Sequence, residues 1–149
     1  MKKNESAKLT SILIKIVYVL VAVCCVMAPY MVQYYDNMLV AKGEPSVFVP
    51  LLVTLYCVVP VALIALICLD KLLKNIILDQ PFIKANVKLL RIISYCCFAV
   101  ALVFIYFTTL KPFALIIVIA SAFMGLILRV IKNVFEHAVE IREENDFTI

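Results

Sequence analysis

The side chains best suited to chemistry in this sequence are its six cysteines, which all lie in apolar stretches: Cys24, Cys25, Cys57, Cys68, Cys96 and Cys97. The two adjacent pairs could hold a metal ion or exchange a disulfide. Adjacent residues on a helix, however, point about 100° apart, and no Cys-x-x-Cys spacing is present. Metal sites also favour histidine or carboxylate ligands, so we expect these cysteines to act as small hydrophobic residues.

The histidine and the glutamates near the C-terminus are the other candidates for catalysis or metal binding. His137 has no cysteine or serine that the sequence pairs with it, and Glu136, Glu140 and Glu143 fall near one face of a predicted helix. That face is also the hydrated side of an ordinary amphipathic helix, and no glycine-rich phosphate loop is present. The sequence therefore predicts a non-enzymatic protein with no catalytic residues, no metal and no cofactor.

The elements that position these residues follow from the composition. Of the 149 residues 66% are hydrophobic and the mean hydropathy is +1.10, whereas soluble proteins have roughly 45–50% apolar residues. The apolar residues form blocks, and a block of about 18 or more can cross the hydrocarbon layer as a helix. We therefore predict an all-α, single-domain integral membrane bundle with four spans, at about residues 12–32, 47–69, 89–110 and 113–131.

Three residues inside these spans are expected to govern helix packing. Pro60 lies in the middle of the second span and predicts a kink, because proline removes a backbone hydrogen bond. Ser121 and Gly125 are four residues apart, a spacing of small residues that lets helices approach closely, within one chain or in a homo-oligomer. The span interiors contain no Asp, Glu, Arg or His, which argues against transport driven by protons or cations.

The distribution of lysine and arginine predicts the orientation of the spans. Of the 14 such residues, only Lys42 and Lys111 fall on one side. The others fall on the opposite side: Lys2, Lys3, Lys8, Lys15, Lys71, Lys74, Lys84, Lys88, Arg91, Arg129, Lys132 and Arg142. Because short loops rich in Lys and Arg stay in the cytoplasm, we predict a multi-pass protein of the cell membrane. Both termini, the hinge segment (residues 70–88) and the tail (residues 132–149) are then cytoplasmic.

The tail is predicted to continue the fourth helix beyond the membrane. Apolar residues recur in it at helical spacing, among them Phe135 and Val139. A helix over residues 112–144 would be about 50 Å long, against roughly 30 Å of hydrocarbon. In the hinge segment, Asn86 shares a face with the apolar residues three and four positions later. It points either into the bundle, where it would bond a neighbouring backbone group, or toward water.

Two motifs in these segments resemble a known family. The stretch QPFIKANVKLLR (residues 80–91) precedes two spans joined by a short turn, and the chain closes with VFEHAVEIREENDFTI (residues 134–149). Together they resemble the bacterial domain-of-unknown-function 2975 family of small four-helix membrane proteins, with Gln80 where that family has glycine. The matching residues are Pro81, Phe82, Asn86, Glu144, Asn145, Asp146, Thr148 and Ile149. The resemblance implies no activity, but it implies a gene beside a small Cro-like helix-turn-helix regulator.

These features lead to two functional hypotheses. In the first, the protein is a membrane regulator that contacts the lipid bilayer, binds a small helix-turn-helix transcription regulator at its cytoplasmic face and does not itself bind nucleic acid. The expected partner contacts are Phe135, Val139, Asp146, Phe147 and Ile149, and the expected ties between hinge segment and tail are Phe82 and Asn86. The apolar stripe of the tail could equally pack on lipid. In the alternative, the protein is a small oligomeric exporter or resistance subunit for apolar compounds or lipids, working through Pro60 and the Ser121–Gly125 contact.

Overall fold

The computed structural model describes residues 2–78 and 80–147, with side chains at residue 9 and over residues 12–78 and 80–145. Within those residues the chain is helical apart from turns and short connections. The helices are α1 (Lys2–Ala41), α2 (Phe48–Ile77), α3 (Lys84–Thr108) and α4 (Leu115–Phe147), and a 3₁₀ turn (Pro112–Ala114) precedes α4. Each helix provides a stretch long and apolar enough to cross a membrane: Ile12–Ala41, Phe48–Ile77, Lys84–Thr108 and Pro112–Asn145. The predicted all-α, four-span membrane fold is therefore confirmed.

The helices pack in chain order, with α3 between α2 and α4. Helix α1 contacts α2, α2 contacts α3, and α3 contacts α4. Within the described residues, no Cα atom of α1 lies within 8 Å of one in α3 or α4. Helix α3 is accordingly covered on two sides. Its buried residues are Asn86, Val87, Leu90, Ile93, Ser94, Ala101 and Phe107. Helices α1 and α4 are the outer members of the row, and among the described residues α1 contacts α2 but neither α3 nor α4.

Large apolar side chains cover the outer surfaces of the helices. Val26, Leu102 and Phe113 are among the most exposed of them. Water would make so large an apolar surface unfavourable, at about 25 cal/mol per Å², whereas lipid tails solvate it. The pattern is that of a protein whose helix faces meet hydrocarbon, as the composition predicts.

Helices α1 and α2 both continue through an internal proline. Helix α1 was expected to end near Val32, but it runs to Ala41 with Pro29 inside it. Pro60 lies inside α2, which is continuous over Phe48–Ile77. A membrane helix tolerates proline because neighbouring groups and local adjustments satisfy the freed carbonyl. The connection between the first two helices, residues 42–47, is therefore shorter than the gap between the two predicted spans, residues 33–46.

Asp36 caps α2 from the preceding helix. It lies on α1, and its carboxylate accepts hydrogen bonds from the Val47 backbone N–H (2.7 Å) and from the Ser46 hydroxyl (2.8 Å). The first N–H groups of a helix have no partner within the helix, so an acceptor there stabilises the helix start. A polar residue beyond the predicted end of the first span thus links the end of α1 to the start of α2.

Replacing Asp36 by alanine is expected to lower the free energy of unfolding by about 1–2 kcal/mol, because the buried Val47 N–H loses its acceptor. Asp36→Asn retains one acceptor oxygen and should cost about half as much. Titration of the purified protein in detergent micelles with sodium dodecyl sulfate, followed by circular dichroism, measures both. An alanine variant as stable as the native chain would contradict the assignment of Asp36 as a cap.

The connection between α1 and α2 is joined to the connection between α3 and α4. Glu44, between α1 and α2, forms an ion pair with Lys111, between α3 and α4. The hydrogen bond from Lys111 lowers the pKa of the Glu44 carboxyl. Gly43 has a φ of +79°, a backbone conformation that glycine adopts without steric cost. The chain can therefore turn sharply after α1 and bring Glu44 to Lys111.

The predicted hinge segment is divided among three elements. Helix α2 continues to Ile77, α3 begins at Lys84, and between them lies the connector (residues 78–83), of which residue 79 lies outside the described residues. The sequence predicts a helix running from Phe82. Instead, Ile83 is extended (φ −130°, ψ 150°) and precedes the first helical residue. The reason lies in the side chain of Asn86.

Candidate functional site

Asn86 is the centre of a group of three side-chain hydrogen bonds at the end where α2 stops and α3 starts. It has 0% of its surface exposed. Its Nδ2 donates to the backbone carbonyls of Gln80 (3.0 Å) and Pro81 (2.7 Å), and its Oδ1 accepts from Asn75 Nδ2 (2.7 Å). Because these carbonyls bond a side chain, the connector stays non-helical up to Ile83. Asn86 thus points into the bundle, one of the two orientations that the sequence allows.

The connector packs on the C-terminal part of α4 (residues 132–147), called here the α4 extension. The rings of Phe82 and Phe135 have their centroids 5.3 Å apart and their planes tilted by 50°. Val139, one turn further along α4, is only 6% exposed. Of the two residues expected to tie the hinge segment to the tail, Phe82 therefore contacts the tail. Asn86 instead joins the connector to α2.

Ion pairs also join α3 to the α4 extension. Lys84 Nζ lies 2.8 Å from Glu143 Oε1, and Arg91 Nη2 lies 3.2 Å from Glu136 Oε1. Glu136 also pairs with Lys132 on its own helix. Exposed pairs of this kind each contribute only about 0–1 kcal/mol, so their effect is to align α4 with α3. Of the glutamates considered as metal ligands, Glu136 and Glu143 pair with lysine or arginine, and Glu140 lies 3.4 Å from His137.

The five predicted partner contacts have different positions. Phe135 and Val139 pack within the chain, on or near the connector. The side chains of Asp146 and Phe147, and the whole of Ile149, lie outside the described residues. Binding of a partner by any of the five stays a prediction.

A second face of the α4 extension is apolar and uncovered. Val134 is 62% exposed and Ile141 is 50% exposed. They are seven residues apart, so they lie on one side of the helix, and His137 lies between them in sequence. Periodicity alone could not separate this face from the Phe135–Val139 face, because both carry apolar residues at helical spacing.

The small residues of α4 have separate roles. A Cβ atom added at Gly125 would lie 3.2 Å from the ring of Phe98 on α3, a contact too close without movement. The Ser94 hydroxyl donates to the Gly125 carbonyl (2.8 Å) across the same interface. Ser121 donates to carbonyls of the preceding turn of α4. The close approach expected from this pair is therefore made by Gly125, between α3 and α4 of one chain.

The cysteines and acidic residues form no joint centre in the part of the chain that the structure describes. Cys24 and Cys25 lie on α1, whereas Cys96 and Cys97 lie on α3, which α1 does not contact. No three His, Cys, Asp or Glu side chains among the described residues are placed to hold a metal ion. The chemistry on offer at the connector is therefore hydrogen bonding, ion pairing and apolar contact.

Sequence comparison places this arrangement within a known family. The family described as protein of unknown function (DUF2975) matches residues 40–149. The matched range includes α2, the connector, Asn86, α3 and the whole of α4, whereas most of α1 precedes it. No curated protein and no solved structure matches the chain. Because the match covers well over half of its length, the chain belongs to the DUF2975 family, whose function is unknown.

Proposed function

We propose that this protein is a non-enzymatic regulatory protein, anchored in the cell membrane, that binds a small helix-turn-helix transcription regulator at its cytoplasmic face. The proposal is supported chiefly by one observation, namely that the connector and the α4 extension form a single surface at one end of the helices. Phe82 packs on Phe135 there, and Lys84 pairs with Glu143. The uneven distribution of Lys and Arg favours a cytoplasmic position for that end. The type of partner is suggested by the family resemblance.

The surface that best suits docking is the uncovered face of the α4 extension. Phe135 and Val139 are already packed within the chain, so we assign the central contacts to Val134 and Ile141, which are exposed. An apolar helix face of this kind can lie in a groove of a partner protein. The residues at the end of the tail, Asp146 among them, would extend the contact.

Co-purification with a small helix-turn-helix protein encoded beside this gene, the neighbour that the family resemblance implies, tests the proposal. The full chain, solubilised in detergent, should retain the regulator. Val134→Glu and Ile141→Glu should each weaken binding about tenfold or more, because each places a charge in an apolar contact. Asn133→Glu is the matched control: it adds the same charge at an exposed position of the same helix and should bind normally.

Two results would overturn the proposal. The first is that the full chain fails to retain the regulator. The second is that Val134→Glu, Ile141→Glu and Asn133→Glu all bind it equally. Point variants are preferable to a chain truncated after Asn133, because truncation also removes Phe135 and Val139, which pack within the fold.

The alternative, an exporter or resistance subunit for apolar compounds or lipids, has one observation in its favour. A groove of about 480 Å³ lies between α1 and α2, lined almost wholly by apolar side chains such as Leu20, Met27 and Val59. Pro60 directly follows Val59 on α2. Under this alternative, deletion of the gene raises accumulation of an apolar dye and leaves transcription of neighbouring genes unchanged. Under the first proposal, deletion changes transcription of neighbouring genes and leaves accumulation of the dye unchanged.

A further inference from the structure

Three cationic side chains line one small cavity between α3 and α4. The cavity has a volume of about 160 Å³, and its walls are formed by Arg91, Ser94, Tyr95, Arg129 and Lys132. It lies on the side of the molecule that the charge distribution predicts to be cytoplasmic. A space of this size, surrounded by guanidinium, ammonium and hydroxyl groups, suits a single tetrahedral anion such as a phosphate group.

The positive charges around the cavity exceed the negative ones. Glu136 is the carboxylate paired with them, and it contacts both Arg91 (3.2 Å) and Lys132. Arg129 has neither an ion pair nor a hydrogen bond to any residue whose side chain the structure describes. Three cations therefore share one anion, and a further anion would find an unpaired guanidinium.

The cavity lies at the level where the apolar parts of both helices end. On α3, residues 92–108 following Arg91 contain no charged residue, and the same is true of residues 112–128, which precede Arg129 in the 3₁₀ turn and α4. One turn farther into the apolar region, Ser94 donates to the Gly125 carbonyl and closes the space between the helices. A group entering the cavity would therefore come from the headgroup layer, where lipid phosphates are concentrated.

We infer that this cavity is a binding site for the phosphate group of an anionic phospholipid. The guanidinium of Arg129 is the main unpaired donor, Arg91 and Lys132 add charge, and the hydroxyl of Tyr95 is available at the rim. The acyl chains of the same lipid lie along the apolar faces of α3 and α4. This inference does not depend on the proposed regulatory function, since it concerns a different surface.

Native mass spectrometry of the full chain in detergent, titrated with phosphatidylglycerol, tests the inference. Arg129→Gln should reduce the fraction of protein that retains the lipid about fivefold, and Arg129→Lys should restore most of it. Arg142→Gln is the matched control, because it removes the same charge from the same helix outside this cavity and should leave lipid retention unchanged.

Two further probes identify the source of the phosphate. Phosphatidylcholine, which carries the same phosphate but no net charge, should be retained several times less than phosphatidylglycerol. Inorganic phosphate at the same concentration should not displace the bound lipid. Equal retention by Arg129→Gln and the native chain would overturn the site, and equal retention of both lipids would overturn the preference for an anionic lipid. Displacement by inorganic phosphate would overturn the assignment to a lipid.

Discussion

Replacing Asn86 by aspartate is expected to destabilise the protein more than any other single change of equal size. The side chain keeps its shape but loses the Nδ2 donor that bonds the carbonyls of Gln80 and Pro81. It also places a carboxylate beside those carbonyl oxygens in a fully buried position. Unmatched buried polar groups cost about 1–3 kcal/mol each, and charged groups cost more. We expect a loss of about 3 kcal/mol or more in the free energy of unfolding.

Asn75→Ala provides the comparison for Asn86→Asp. It removes the third hydrogen bond of the same group, the one to Asn86 Oδ1 (2.7 Å), and leaves the two bonds to the connector intact. The expected loss is about 1 kcal/mol. Unfolding in detergent micelles by added sodium dodecyl sulfate gives both values. If Asn86→Asp were no less stable than Asn75→Ala, Asn86 would not be the group that holds the connector.

Gly125→Leu is expected to have the second largest effect, because it forces α3 and α4 apart. Even a Cβ atom at this position would lie 3.2 Å from the Phe98 ring, and a leucine adds three further carbon atoms. The separation would also break the bond from Ser94 to the Gly125 carbonyl. Overpacking of this kind costs about 1–3 kcal/mol, to which the lost hydrogen bond adds about 1 kcal/mol. Gly125→Ala should cost much less, because the Phe98 ring needs to move only slightly.

Ala120→Leu is the control for Gly125→Leu. Ala120 lies on the same helix and is exposed, so a leucine there faces lipid and should leave the free energy of unfolding within about 0.5 kcal/mol of the native value. The melting temperature of each purified variant in detergent, followed by circular dichroism, measures the difference. Equal melting temperatures for the two leucine variants would show that the α3–α4 interface does not depend on a small residue at position 125.

The number and type of the helices could be predicted from the sequence, because the bilayer itself sets the length and polarity of a span. The helix ends were harder to place, because they depend on bonds between distant residues. Asp36 lies on α1 beyond Val32 and caps a helix that starts more than ten positions later. The sequence around Val32 therefore did not show that α1 continues past that residue. The start of α3 depends in the same way on Asn86, whose partner Asn75 belongs to another helix.

The candidate surfaces were only partly predictable for a related reason. Periodicity finds the apolar positions of the tail, but it does not tell which of them the connector covers. That is decided by Phe82, which packs on Phe135 and leaves Val134 exposed. The cavity at Arg129 was missed because its cations come from two helices and each of them, taken alone, marks only the end of an apolar stretch.

We propose that the connector and the α4 extension share the cytoplasmic side of the membrane. Single cysteines introduced into a cysteine-free chain, at the exposed positions Lys42, Leu78 and Asn145, test it through labelling of intact cells with a membrane-impermeant maleimide. We expect Lys42→Cys to be labelled in intact cells, and Leu78→Cys and Asn145→Cys to be labelled only after permeabilisation. Labelling of Leu78→Cys or Asn145→Cys in intact cells would contradict it.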